Sequence, residues 1–150
     1  MTTELHLNQE VTLQGKTYKV IGIDHYHLKN ILGGNAEWKS YTLIDSKKNK
    51  TWISYGSIPN YFIQWATISE AEFKKQATNP LNLDSTGIAH IEFEGNPGYS
   101  TPNAELMLFN VANQSYDYVG MERFLKQNND KVESMESYFQ TGTLLKDFKI

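Results

Sequence analysis

The chain contains no cysteine. Disulfide staples, cysteine nucleophiles and thiolate zinc sites are therefore excluded, and a reducing, cytoplasmic setting is expected. Arginine is nearly absent too: of 14 Lys and Arg residues only Arg123 is an arginine. Readers of nucleic acid use arginine for bidentate contacts and present a basic face. A formal charge of −3 opposes that class, so no nucleic-acid partner is expected. Lys47, Lys48 and Lys50 form a basic cluster, which reads as the solvated tip of a hairpin.

Long apolar runs are missing as well. None approaches the ~20 residues of a bilayer span. Met1 to Glu10 alternates polar and apolar residues, unlike a signal peptide. No direct membrane insertion is expected. Phosphate loop, dinucleotide fingerprint, nucleophile elbow and zincin motif are all lacking. Gly33-Gly34 reads as a turn, because no GK[ST] and no helix follow it.

What is present is a β pattern. A chain of 150 residues fits one domain that buries roughly 68–70% of its unfolded surface without a staple. Leu5, Leu7, Val11 and Leu13 alternate with polar residues, and Gln14-Gly15-Lys16 turns the chain. Tyr18 to His27 carries the β-branched Val20, Ile21 and Ile23, which fit a pleated surface. Trp38 to Asp45 and Lys50 to Tyr55 form a hairpin around Ser46 to Asn49. Pro59-Asn60 turns into a strand over Tyr61 to Ile68.

A short helix is expected over Ser69 to Ala77. Ser69 and Glu72 make a capping box, flanked by Ile68 and Phe73 as a hydrophobic staple. Asn79-Pro80 ends it, and Pro80 to Ser85 reads as a linker. Gly87 to Glu94 alternates cleanly, before a Gly- and Pro-rich loop over Gly95 to Pro102. Ala104 to Val111 and Tyr116 to Lys126 make a second hairpin around Ala112 to Ser115, with a helical turn at Met121, Phe124 and Leu125 as the alternative. Asn128 to Asp130 turns the chain, and Met135 to Gly142 and Leu144 to Ile150 close it. The fold class expected is mainly β: two curved antiparallel meanders in a sandwich or partly open barrel. It forms a single domain, 1–150, with two halves (about 5–68 and 86–150) that rhyme in pattern.

Leu7 to Ile23 (LNQEVTLQGKTYKVIGI), Trp38 to Ser54 (WKSYTLIDSKKNKTWIS), Gly87-Ile88-Ala89, Met121-Glu122, and Glu136-Ser137 with Gly142 resemble the bacterial family catalogued as domain of unknown function 4178. The resemblance covers most of the chain, through turn glycines, strand tryptophans and hairpins, none of them catalytic. It implies a soluble bacterial β-rich protein of no established activity, in a family some of whose members lie near genes for membrane-stress or polyamine-related proteins.

Several constellations could carry chemistry. His25 and His27 lie two apart, so in a strand both imidazoles leave one face and could share a metal with His90 or Glu92. Exposed histidines at a strand end are ordinary, so these are weak candidates and no metal or other cofactor is expected. Glu92 with Glu94, and Glu133 with Glu136, read as solvated faces, not acid–base pairs. Glu122 and Glu136 follow methionines in apolar stretches, and a buried Glu needs a partner, which points to a salt bridge or backbone bond. Arg123 would face away from Glu122. Trp38, Tyr41, Trp52, Tyr55, Tyr61, Phe62 and Trp65 are dense in aromatic area, suited to filling a core or to an interface.

The leading expectation is a non-catalytic protein-binding or accessory module. Trp38, Tyr41, Trp52, Tyr55, Tyr61 and Trp65 are its surface, with a protein partner and a weak homodimer through that region. The alternative is a small-ligand binder, or an enzyme, with a pocket between the halves. A closed pocket with convergent polar groups favours the alternative; a flat aromatic patch favours the module.

Overall fold

A computed structural model describes residues 4–30, 34–56, 61–95, 103–111, 116–128, 131–146 and 148. Among these, the elements run β1 (Glu10–Leu13), β2 (Lys16–Asn30), β3 (Asn35–Ile44), β4 (Lys50–Gly56), β5 (Phe62–Thr67), α1 (Glu70–Gln76), a 3-10 turn (Pro80–Asn82), β6 (Leu83–Gly95), β7 (Asn103–Asn110), β8 (Tyr118–Asn128) and β9 (Lys131–Leu145). The protein is mainly β with one short helix. Ser69 caps α1, its Oγ accepting from the Glu72 N–H at 3.1 Å.

Two four-stranded antiparallel meanders, β2–β5 and β6–β9, lie edge to edge. β5 pairs with β9, and β2 pairs with β6. The eight strands therefore close into a barrel, and β1 adds a ninth strand beside β2. The sandwich or partly open barrel expected from the pattern is thus a closed one. The reason is the length of β2: Lys16 to Lys19 pair with β1, and Gly22 to Asn30 on the same edge pair with β6. The changeover coincides with a register shift between Val20 and Gly22, and such bulges supply the twist that closure needs. Closure leaves both meanders without a free inner edge.

The alternation has two sides, and both are partly apolar. Outside the first meander, Ile23, Tyr41, Leu43, Ile53 and Phe62 form a cluster under Leu5, Val11 and Leu13, with Phe148 packed against it. Outside the second, Phe109, Val119 and Met121 are covered by Phe73 of α1. Inside, Tyr26, Leu28, Ala89, Ile91, Ala104 and Phe124 fill part of the barrel.

Two local readings change, and one alternative falls. Leu144 and Leu145 end β9 and pair with Ile63 and Phe62. They continue the strand that holds Met135 to Gly142, so no separate edge strand starts at Leu144. Pro80 to Ser85 is a 3-10 turn followed by the start of β6, because Asn79 Oδ1 accepts from the Leu81 N–H at 3.0 Å and nucleates the turn. Met121, Phe124 and Leu125 are strand residues, as the hairpin reading has them, held by unbroken pairing with β7 and by pairing with β9 on both sides of a bulge. Gly33, Pro59-Asn60, residues 96–102, Ala112 to Ser115, residues 129–130, and Asp147, Lys149 and Ile150 lie outside the described residues.

Candidate functional site: the barrel lumen

Strand period two decides what enters the barrel. On β2, Asp24 and Tyr26 point inward; His25 and His27, between and beyond them, point outward. On β3 and β4 the inward set includes Trp38, Ser40, Trp52 and Ser54, and on β5 Trp65. On β8 and β9 it includes Tyr118, Glu122, Phe124, Tyr138 and Gln140. These side chains line a cavity of about 1240 Å³. Trp52 (36% exposed) and Tyr138 (41% exposed) line it and still meet solvent.

The lumen is aromatic, and Asp24 and Glu122 place two carboxyls in it, with Lys50 also on its lining. The Tyr26 hydroxyl donates to Glu122 Oε1 at 2.6 Å, and the Tyr26 ring stacks on Trp38 with centroids 4.9 Å apart. Phe124 meets the Tyr138 ring edge-on at 5.5 Å. The Trp65 indole N–H donates to Ser54 Oγ at 2.7 Å. Asp24 is 5% exposed.

Burial pushes the Glu122 carboxyl up to about 7; the Tyr26 hydrogen bond opposes this, and the charge of Asp24 adds to it. As a residue Glu122 keeps intermediate exposure, because it borders the lumen. Its carboxyl is ringed by protein, and it is the carboxyl's desolvation that sets its proton affinity. The Tyr138 hydroxyl is also pushed up, by its bond to Glu136, by burial, and by the charges of Glu136 and Glu122. Glu122 is therefore half-protonated near neutral pH, beside a second carboxylate and within a wall of rings.

The six aromatics expected to form one surface are divided by the alternation. Trp38, Trp52 and Trp65 line the lumen. Tyr41 is 1% exposed in the outer cluster, its Oη accepting from the Leu5 N–H at 3.4 Å, and Tyr55 packs against that same cluster. Tyr61 is exposed. Glu122 has neither the salt bridge nor the backbone bond expected of it; a tyrosine from the first meander meets it instead. Arg123 does face away, reaching Glu105 at 3.5 Å. Glu136 is exposed and accepts from the Tyr138 hydroxyl at 2.9 Å. Glu92 and Glu94 are exposed on the outer side, where His25 and His27 are half-buried.

Asp24 and Tyr26 are the lumen residues that sequence reasoning missed. Their signal was the same alternation that singled out His25 and His27: whatever put the imidazoles on one face put Asp24 and Tyr26 on the other.

No family model matches the chain, and no curated protein or solved structure does. No helix among the described residues is long and apolar enough to cross a membrane.

Proposed function

We infer that this chain is a small-molecule-binding barrel whose lumen takes an aromatic or otherwise apolar molecule carrying a protonated amine. One observation carries the reading: the Glu122 carboxyl, held by the Tyr26 hydroxyl at 2.6 Å, sits with Asp24 inside an aromatic-lined cavity. Ligand pockets are concave and largely apolar, with a few convergent polar groups that orient the ligand. Two carboxyls in one desolvated space repel, and a ligand cation relieves that repulsion. Rings around it add cation–π attraction. A concave lumen in place of a flat aromatic patch favours this reading over a protein-docking module. A carboxyl poised near neutrality is also what proton transfer needs, which supports an enzyme as the second reading.

The test is a fluorescence titration of the full chain with dansyl-ethylenediamine, which pairs a fused ring with a protonated amine, and with its N-acetyl derivative. A charge-assisted hydrogen bond contributes about 1.5–3 kcal/mol. The amine should thus bind roughly 10–100-fold more tightly than the acetylated probe. Glu122→Gln should narrow that ratio to within about threefold. Equal affinity of both probes for the wild type would refute the amine, and no binding of either would refute the lumen as a ligand site. Conversion of a bound probe would move the assignment to the enzyme.

A further inference from the structure

The outer face of the β2–β6 seam holds a second cluster, independent of the lumen. His25 and His27 leave β2 on this face with ring centroids 4.2 Å apart. Across the seam His25 pairs in register with Glu92 of β6, and on the other side His27 pairs with Glu37 of β3. One ligand atom from each of His25, His27 and Glu92 lies within 4.8 Å of the others.

The His27 ring is already oriented. Its Nδ1 lies 2.8 Å from Glu37 Oε1. A carboxylate only accepts, so Nδ1 carries the proton and donates it to Glu37. In the neutral ring this leaves a lone pair on Nε2. Nε2 is buried, makes no hydrogen bond, and faces Glu92 Oε1 at 3.8 Å. Two electron-pair donors then face each other across a gap, with the His25 imidazole beside them. A cation between them satisfies all three. The carboxylate behind the histidine is the arrangement that fixes the tautomer of a metal-bound imidazole.

We propose that His25, His27 and Glu92 bind a zinc-type divalent transition metal, with Glu37 as the positioning carboxylate behind His27. Two imidazoles and one carboxylate suit zinc, which takes such ligands at about 2.0–2.2 Å. Tetrahedral donors at that radius sit ~3.3–3.5 Å apart, so the cluster must draw in. The His27 side chain is 33% exposed and that of Glu92 65%, so both have room to turn. The surface position leaves the fourth place to water. The site spans the strands whose pairing closes the barrel, so bound metal staples the closure.

The experiment titrates zinc chloride into the tag-free, metal-stripped full chain at about pH 7.5, in competition with a chromogenic chelator. One equivalent of zinc is expected, with a rise in the unfolding midpoint. Second-sphere partners are worth about 10–100-fold in metal affinity, so Glu37→Gln should weaken binding at least tenfold although it removes no ligand. His25→Gln, His27→Gln and Glu92→Gln should each weaken it at least as much, and His6→Gln not at all. Absence of zinc binding by the wild type, or binding indifferent to His25→Gln and His27→Gln, overturns the site: His27 then only bridges Glu37 and Glu92. Cobalt supplies a test without variants. The intense visible absorption of four-coordinate cobalt supports the site, and the feeble spectrum of six-coordinate cobalt contradicts it.

Discussion

The Tyr26 hydroxyl and the Glu122 carboxyl meet at 2.6 Å although their strands, β2 and β8, share no backbone ladder. The bond therefore ties the two meanders through the interior and not along an edge. Tyr26→Phe leaves the buried carboxyl without its donor. A lost bond to a charged group costs about 1.5–3 kcal/mol, so the variant should unfold that much more easily at about pH 8.5. The loss should shrink at about pH 5.5, where Glu122 is neutral in both forms. Urea melts at the two pH values check this, and an equal loss at both contradicts it.

Glu122 gives stability a pH dependence of its own. Its folded pKa is about 7, above the ~4.3 of an unfolded Glu. Between those values the folded state binds more protons than the unfolded one, so stability falls as pH rises through this window. The groups facing the carboxyl are Tyr26 and Asp24 on β2 and Tyr138 on β9. The whole effect is on the order of 3–4 kcal/mol. Glu122→Gln should flatten the decline between about pH 5 and 8. A variant whose stability tracks the wild type across that range would remove Glu122 as its source.

The same protonation governs the lumen's charge. Affinity for dansyl-ethylenediamine should rise between about pH 6 and 8 as Glu122 ionises, and affinity for the acetylated probe should stay flat. Opposite slopes would contradict the amine assignment.

Gly142 is held bare by Trp65. A Cβ there would lie 2.7 Å from Trp65 Cζ3 and 2.9 Å from Ile63 Cγ2. Gly142→Ala should cost about 1–3 kcal/mol, as overpacking does, and should displace the indole from Ser54. Trp65→Phe in the same chain should recover part of the loss. A purely additive double-mutant cycle would show that the two positions do not meet.

Phe73 anchors α1, which at 7 residues is too short to persist alone. Its ring packs at 5.0 Å from Phe139 and 6.2 Å from Phe109. Phe73→Ala should cost about 3 kcal/mol while leaving probe affinity unchanged, since α1 covers the outer face. Loss of probe binding by a folded variant would contradict that placement.

The strands, the hairpins and the helix were legible because each is local: alternation in Gly87 to Glu94, turn residues after Asp45, a Ser–Glu capping pair at Ser69. Closure was not, because it depends on β2 and β6 meeting at a sequence distance no local pattern encodes. The lumen shared that fate. Glu122 looked like a buried acid needing a partner, but the partner, Tyr26, lies 96 positions away in sequence. The aromatic stretch from Trp38 to Trp65 was visible as area, yet only a closed barrel decides that its three tryptophans share an interior. The metal-ligand set was half visible: the His25 and His27 spacing is local, whereas Glu37 and Glu92 are brought in by neighbouring strands.

The chain has three tryptophans, and all of them line the lumen. Their indole N–H signals in a nitrogen-15 proton correlation spectrum therefore report directly on the cavity. Titration with dansyl-ethylenediamine should shift all three, saturating together at a single affinity, while the amides of the outer-face residues Asp45 and Lys74 stay in place. Unmoved indoles, with shifts confined to outer-face amides, would contradict a ligand-binding lumen.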